Sequence, residues 1–524
     1  MAVAWKSPTF LDSPGVGDSD IVVILRGAGA WGNVRGRAGT CGVPGPGQAA
    51  GQARYFVKLN SFTYLVKGCV SWITSCLQWS STHPIGLIED HQHVDEQPWN
   101  RQRLRSNNEW LLLEHLRTAG AASRAQLARE TGLSKPTVSS ALAALEQGGL
   151  VREAGTVVPE RGRTAVLYEP DPTAGYVLGI DIGRARLRTA VADLSGEVRA
   201  RIDVPNDGTT ADAVADAVVA AARQVLREAD VPADRVVHAA VATPGVFDQE
   251  SGRIRYAVNL PGWGRAGLVE RIGGQLGGPD LSVHNDANLA ALGEYAFGAG
   301  QGSRLFVYVL VGTGLGIGIV ADGQLFTGAH GAAGEVGFLP VSLAALDGGA
   351  LDGGALDGAR DMAREGVRDD AQDGRVVDED EDEDEAVAAR GALEDAVSAD
   401  AVVRTARALG LDEVASAKDV FDAARTGQPA AVAAVRKEGE RLALVVSAVS
   451  AVLDPDLVVL GGGVGHSADL LLDPVRESLR LLTPLRPRVA PSALGDDAVL
   501  LGAIATALRS ARPEVFERHA AKAV

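Results

Sequence analysis

Cysteine is almost missing from this chain: Cys41, Cys69 and Cys76 are the only three in 524 residues. A disulfide framework or a cysteine-based zinc site is thereby excluded from everything after position 76. Long apolar runs are lacking too. The most apolar early stretch, residues 55–77, is broken by Lys58 and Lys67 and makes a poor membrane span. No signal peptide is legible, so the cytoplasm is the expected compartment and no membrane partner is expected. Aromatic residues make up only 5%, and five of the seven tryptophans precede residue 100. Basic charge is in deficit as well, with a net charge of −17. That figure does not exclude a polyanionic partner, because the field that a partner meets is local. Residues 344–385 hold 16 Asp/Glu against 4 Lys/Arg, whereas residues 101–170 hold 10 Lys/Arg against 7 Asp/Glu.

What is present divides the chain into three parts. Residues 1–100 are Gly/Pro-rich in places and show no sustained helix or strand period, which reads as a disordered extension. His91 and His93 lie there as two lone histidines, a pattern of surface residues and not of metal ligands. Residues 101–170 read as three helices and a hairpin. Trp110, Leu113 and Leu116 share one face of the first helix. Ser123 and Gln126 form an S-x-x-Q cap for the second. Ser134 caps the third, whose buried stripe is Val138, Ala141, Leu142 and Leu145. Two strands, Leu150–Glu153 and Ala165–Tyr168, flank a loop from Gly155 to Gly162. From 171 to 524 strands alternate with helices, as at Tyr176–Ile182, Ala211–Ala229, Val236–Ala242, Leu305–Val311 and Leu457–Leu460, so the fold class is α/β. A low-complexity acidic insertion spans 344–386, with repeated Ala-Leu-Asp-Gly-Gly units leading to the unbroken run Asp378–Glu385. Its self-repelling charge predicts disorder.

Helix, tight turn, helix is generic by itself. Followed by a hairpin whose loop carries Glu160-Arg161-Gly162-Arg163, it fits a winged helix-turn-helix that reads double-stranded operator DNA. Lys135, Thr137 and Ser140 lie off the buried stripe of the third helix and face outward. Thr137 and Ser140 supply hydroxyls for bases or phosphates, and Lys135 supplies charge. Arg161 and Arg163 are the expected phosphate or minor-groove contacts.

Three glycine-rich segments end strands in the α/β part: Gly179–Gly183, Gly312–Gly316 and Gly461–Gly465. Glycines there let backbone N–H groups approach a phosphate. Together with Pro244-Gly245, Asn259-Leu260 and Trp263, Asn285-Asp286-Ala287-Asn288, Gly331-Ala-Ala-Gly-Glu-Val-Gly337 and Gly391-Ala-Leu-Glu394, they make residues 101–524 resemble the ROK family. The likeness is to that family's winged-helix regulators in particular. It implies a two-lobed actin-like (ribonuclease-H-like) sugar-kinase fold behind the winged helix, and a homodimer or homotetramer. It implies that Asn285 and Asp286 grip a sugar, that Asp286 serves as base in the family's kinases, and that Glu335 and Glu394 are further sugar contacts. The remnants of the nucleotide loops are Asp181, Gly183, Gly312, Thr313, Gly314, Gly461 and Gly462.

The chain departs from the family pattern at three places. Arg184-Ala185-Arg186 replaces the Gly-Thr-Lys that follows Gly183 in family kinases, removing a hydroxyl and adding bulk where phosphate must be positioned. Phe338 stands where the family has a zinc-binding histidine, and the cysteine segment is replaced by the acidic insertion. No cofactor is therefore expected: zinc lacks its ligands and ATP lacks its loop. The reading is a DNA-binding regulator, not an enzyme, that senses a sugar. An active sugar kinase with a DNA-binding arm, and a ligand-independent regulator with a decayed cleft, remain as alternatives.

Overall fold

The computed structural model describes residues 20–27, 30–37, 55–59, 62–66, 101–158, 164–248, 251–257, 260, 262–277, 279–339 and 391–522. Within the first hundred residues the described strands are β1 (Asp20–Gly27), β2 (Ala30–Arg37), β3 (Tyr55–Leu59) and β4 (Phe62–Val66). They pair as two antiparallel hairpins, β1 with β2 and β3 with β4. The sequence reading saw no strand period here; hairpins of five to eight residues give only a short periodic signal. The rest of 1–100 and the acidic insertion 344–386 lie outside the described residues.

The winged helix consists of α1 (Arg101–Ala119), α2 (Arg124–Thr131) and α3 (Lys135–Gln147), with strands β5 (Ala122–Ser123), β6 (Val151–Val157) and β7 (Ala165–Pro170). Local chemistry sets its corners. Ser123 accepts from Gln126 N, and Gly132 closes α2 in the left-handed conformation that favours glycine. Ser134 caps α3 by accepting from Thr137 N. Val138, Ala141, Leu142 and Leu145 are buried, as expected. On α1 the buried apolar positions are Leu112 and Leu116, while Trp110 and Leu113 are only partly buried. The sequence reading put Trp110, Leu113 and Leu116 on one face; of these Leu116 is in the core and Trp110 and Leu113 flank it, and Trp110 meets Phe516 from the far end of the chain at 5.1 Å between ring centroids.

Two lobes of matching topology follow. Lobe 1 contains β8 (Tyr176–Ile182), β9 (Arg186–Asp193), β10 (Val198–Pro205), β11 (Val236–Thr243), the small hairpin β12 (Val246–Asp248) and β13 (Arg253–Arg255), and β14 (Asp280–Asn285). Its sheet runs β10-β9-β8-β11-β14. Helices α4 (Ala211–Glu228) and α5 (Leu268–Leu276) contribute to the core on one side of it. Lobe 2 contains β15 (Leu305–Val311), β16 (Leu315–Ala321), β17 (Gln324–Leu325), β18 (Leu457–Gly461) and β19 (Arg488–Pro491), in the order β17-β16-β15-β18-β19. Numbered within each lobe, the order is 3-2-1-4-5 both times: the first three strands are antiparallel, and the fourth and fifth run parallel to the first. This is the two-lobed α/β architecture expected from the sequence.

Two helices cross between the lobes. Helix α6 (Asp286–Phe297) leaves lobe 1 and packs on β15 and β16 of lobe 2. Among the described residues seven further helices follow: α7 (Ala392–Val397), α8 (Ala399–Ala408), α9 (Ala417–Arg425), α10 (Pro429–Leu453), α11 (Gly462–Gly465), α12 (Ala468–Leu482) and α13 (Ala498–Lys522). The last of these returns across lobe 1, against β8 and β11. Small residues make the crossing possible. A Cβ on Gly502 would overlap the carbonyl oxygen of Leu289, and one on Gly293 would overlap that of Ala498. Leu289, Ala290, Ala503, Ile504 and Ala507 are all buried in the resulting interlobe core. Pro513 interrupts the hydrogen-bond ladder of α13. Beyond it Phe516 enters the winged-helix core at 8% exposure, with Val515 and Ala520 packed alongside. Burying a phenylalanine side chain contributes roughly 1.5–3 kcal/mol. The winged helix is therefore closed by a helix belonging to the other domain.

Candidate functional site

On the DNA-reading face, Lys135 and Ser140 are exposed on α3, as the sequence predicted. Thr137 is half-buried and its hydroxyl lies 2.7 Å from Ser134 Oγ, so it helps to close the helix cap. Ser139 of the same helix is exposed as well and was not among the residues singled out from the sequence. The wing strands are tied by Arg152 and Glu169 at 2.8 Å. Arg161 and Arg163 lie outside the described residues, as does Asn259.

The duplicated topology brings the strand-end loops of both lobes to one cleft of about 460 Å³. From lobe 1 come the β8–β9 turn, the Pro244-Gly245 turn after β11 and Asn285-Asp286 after β14; from lobe 2 come Gly312-Thr313-Gly314 between β15 and β16, Gly462 after β18 and Gly495-Asp496 after β19. Asp181, Gly183, Glu335, Phe338 and Glu394 also line it. Gly461 does not. Its missing Cβ makes room for the Tyr308 hydroxyl, so its role is packing and not contact with a ligand.

Each side chain has a local reason for its place. Asn285 caps α6: its Oδ1 accepts from Ala287 N at 2.9 Å and Asn288 N at 3.2 Å, while its Nδ2 donates to Gly245 O at 3.1 Å. It thus fixes Asp286 and the Gly245 turn more than it offers itself to a ligand. Trp263 is buried and donates to Thr243 Oγ1 at 2.6 Å, pinning the end of β11. Gly334 (φ 98°) brings Glu335 in where any Cβ would overlap Ile317 O. Gly391 sits flush against Gly337 O, which sets Glu394 beside the same loop. The described residues on either side of the acidic insertion therefore meet at the rim of the cleft.

Crowded carboxyl groups dominate the electrostatics. Burial, with the charges of Asp181 and Glu335, pushes Asp286 up to about 7. Burial and the neighbouring Glu394 raise Glu335 to about 7. Asp181 rises to about 6, burial outweighing the attraction of Arg188. Arg188 is the residue that sequence reasoning missed. It faces Asp181 directly across the β8–β9 register and donates to it at 3.1 Å. The hairpin register was the available signal. Of the turn's own arginines, Arg184 lines the cleft, whereas Arg186 turns away to Asp203 at 2.5 Å. The Gly183 N–H is spent on Arg186 O at 3.0 Å. A turn closed in this way has lost part of the donor set that cradles a phosphate.

Among the described residues, no group of three or more His, Cys, Asp or Glu is placed to hold a metal ion. No described helix is long and apolar enough to cross a membrane. Known proteins divide along the same lines. Residues 177–510 match the ROK family and residues 105–162 match the MarR family. A glucokinase of Thermotoga maritima is 27% identical over 62% of this chain and 95% of its own length. A xylose repressor of Caldicellulosiruptor bescii is 24% identical over 78% of this chain and 96% of its own. Among solved structures, a ROK family transcriptional regulator, a homolog of the E. coli MLC protein, shares the fold. Its TM-score is 0.59 at 22% identity, covering 80% of this chain and 99% of that one.

Proposed function

The chain belongs to the ROK family, and we propose that it is a cytoplasmic DNA-binding transcriptional regulator whose interlobe cleft senses a sugar and thereby alters operator affinity. One observation carries this reading. Helix α13 begins beside the cleft, where Val499 is part of the lining, and ends inside the winged helix, where Phe516 is part of the core. It is crossed at Gly502 by α6, the helix that Asp286 opens. Ligand that changes lobe closure would thus move the element that completes the DNA-binding domain. Such coupling requires different affinity for the two lobe arrangements. In a homodimer or homotetramer, two winged helices would engage paired half-sites.

Asp286 with a pKa near 7 would suit a general base, which favours the kinase reading. Against it, the Arg188–Asp181 pair and the self-closed β8–β9 turn leave little to hold a metal-bound triphosphate in line. The cleft is therefore assigned to sensing, with Asp286 as a hydrogen-bond acceptor. The test is operator binding by fluorescence anisotropy across a panel of pentoses, hexoses and N-acetylhexosamines. A sugar that shifts the midpoint severalfold, with no shift in Glu335→Ala, supports the proposal. Operator binding indifferent to every sugar would instead favour the decayed-cleft alternative. For the DNA face, changing Arg161 and Arg163 together to Ala should weaken binding to all sequences and reduce the salt slope by about 2.

A further inference from the structure

We propose that the cleft is shaped for an uncharged glycoside bearing an apolar substituent, held against the joined exposed rings of Tyr256 of lobe 1 and Phe338 of lobe 2; this rests on the reading that the cleft binds a sugar. The two rings meet edge to face, 5.6 Å between centroids and 62° between planes. They come from opposite lobes and line the same cleft as Asp286, Glu335 and Glu394. Each is 41% exposed, a large apolar surface left facing a polar cavity. Tyr256 also sits at φ 62°, a region where a bulky side chain is an outlier and where glycine would relieve the backbone. Strain of this kind, kept at a cleft wall, indicates that the side chain itself is wanted there. Phe338 is equally fixed, because Gly391 packs directly onto the backbone of Gly337 and Phe338 with no room for a Cβ.

The charged groups of the lining set the ligand's charge. Asp181, Asp286, Glu335, Glu394 and Asp496 line the cleft against only Arg184 and Arg188, and Arg188 is committed to Asp181. A sugar phosphate or uronic acid would be repelled by this excess of carboxylates. A neutral pyranoside fits better, with hydroxyls toward the carboxyl groups and an alkyl or aryl group on the rings. Because the rings belong to different lobes, the substituent would bear on both.

The experiment is calorimetric titration of the full chain with free glucose, xylose and N-acetylglucosamine, their α- and β-phenyl glycosides, and the hexose 6-phosphates. At least one phenyl glycoside should bind about tenfold tighter than its parent sugar, within the range an apolar pocket can discriminate. Phe338→Ala and Tyr256→Ala should abolish that preference; a melting curve confirms folding. Free sugars binding as tightly as their phenyl glycosides, a preference that survives both variants, or tighter binding of the 6-phosphates would each overturn the inference alone. Absence of binding by every sugar would overturn the sugar-sensing reading and this inference together.

Discussion

The β8–β9 turn of lobe 1 and the β15–β16 turn of lobe 2 occupy equivalent positions in two sheets of identical strand order, yet they carry different side chains. In lobe 2 the turn is Gly312-Thr313-Gly314, with Thr313 exposed toward the cleft. In lobe 1 the turn is Gly183-Arg184-Ala185, and the adjacent carboxylate is taken by Arg188; the first N–H folds back in both turns, Gly183 N onto Arg186 O and Gly312 N onto Gly314 O. A duplicated fold supplies matched scaffolds at no sequence cost, so the chemistry of each half can diverge alone. Here the divergence is in the side chains: lobe 1 sets Arg184 and the Arg188–Asp181 pair at the cleft, where lobe 2 sets the hydroxyl of Thr313.

The largest effect expected from this asymmetry is in catalysis. With ATP and any of the sugars above, a coupled assay should show no turnover, where working kinases run at about 1–100 s⁻¹. Turnover near 1 s⁻¹ that disappears in Asp286→Asn would show that lobe 1 has not been disabled. Making lobe 1 more like lobe 2, by Arg188→Ala with Arg184→Thr and Ala185→Gly, should introduce nucleotide binding measurable by calorimetry.

The next effect is on the joint between the lobes. Gly502→Ala forces a methyl against Leu289 O and should cost roughly 1–3 kcal/mol in denaturant unfolding. Gly463→Ala, where a Cβ meets no atom within 4 Å, should be nearly neutral. Equal losses at the two glycines would mean that the crossing is not the tight contact between the lobes.

A smaller, pH-dependent effect separates the cleft carboxylates from the surface. Asp286 has a folded pKa near 7, raised above its ordinary 3.8. The folded state therefore binds its proton more readily than the unfolded chain between about pH 4 and 7, and stability from this group is lost as pH rises through 7. Asp286→Asn should accordingly melt higher than wild type at pH 8, with the gap shrinking toward pH 5. A gap that stays constant or widens on acidification would contradict the raised pKa. Smallest of all should be deletion of residues 340–390, whose described flanks already meet through Gly337 and Gly391. The melting temperature should stay within a few degrees, since loop length costs little.

Much of this was legible beforehand, and the limits have physical causes. Strands such as Tyr176–Ile182 and Leu305–Val311 fall where the apolar runs put them, because both are buried and bounded by turns. The caps at Ser123, Gly132 and Ser134 are local chemistry and read directly from residue type. Contacts made across the chain were not legible. Trp110 and Leu113 belong to the α1 face that meets Phe516, and no periodicity in residues 101–119 reveals a partner four hundred positions away. The repeated strand order left no recognisable repeat in the sequence, because each sheet needs only apolar residues and not particular ones. Arg188 escaped for a narrower reason: it is one of several arginines, and only the β8–β9 register selects it.

The central claim is that occupancy of the cleft reaches the winged helix through α13. Hydrogen–deuterium exchange of the full chain, with and without a saturating sugar, tests it most directly. The account predicts altered exchange in α13 on both sides of Pro513 and in α1 and α3, beyond the cleft loops themselves. Changes confined to the cleft loops, with residues 514–522 and the winged helix unaffected in a protein demonstrably bound to sugar, would contradict it.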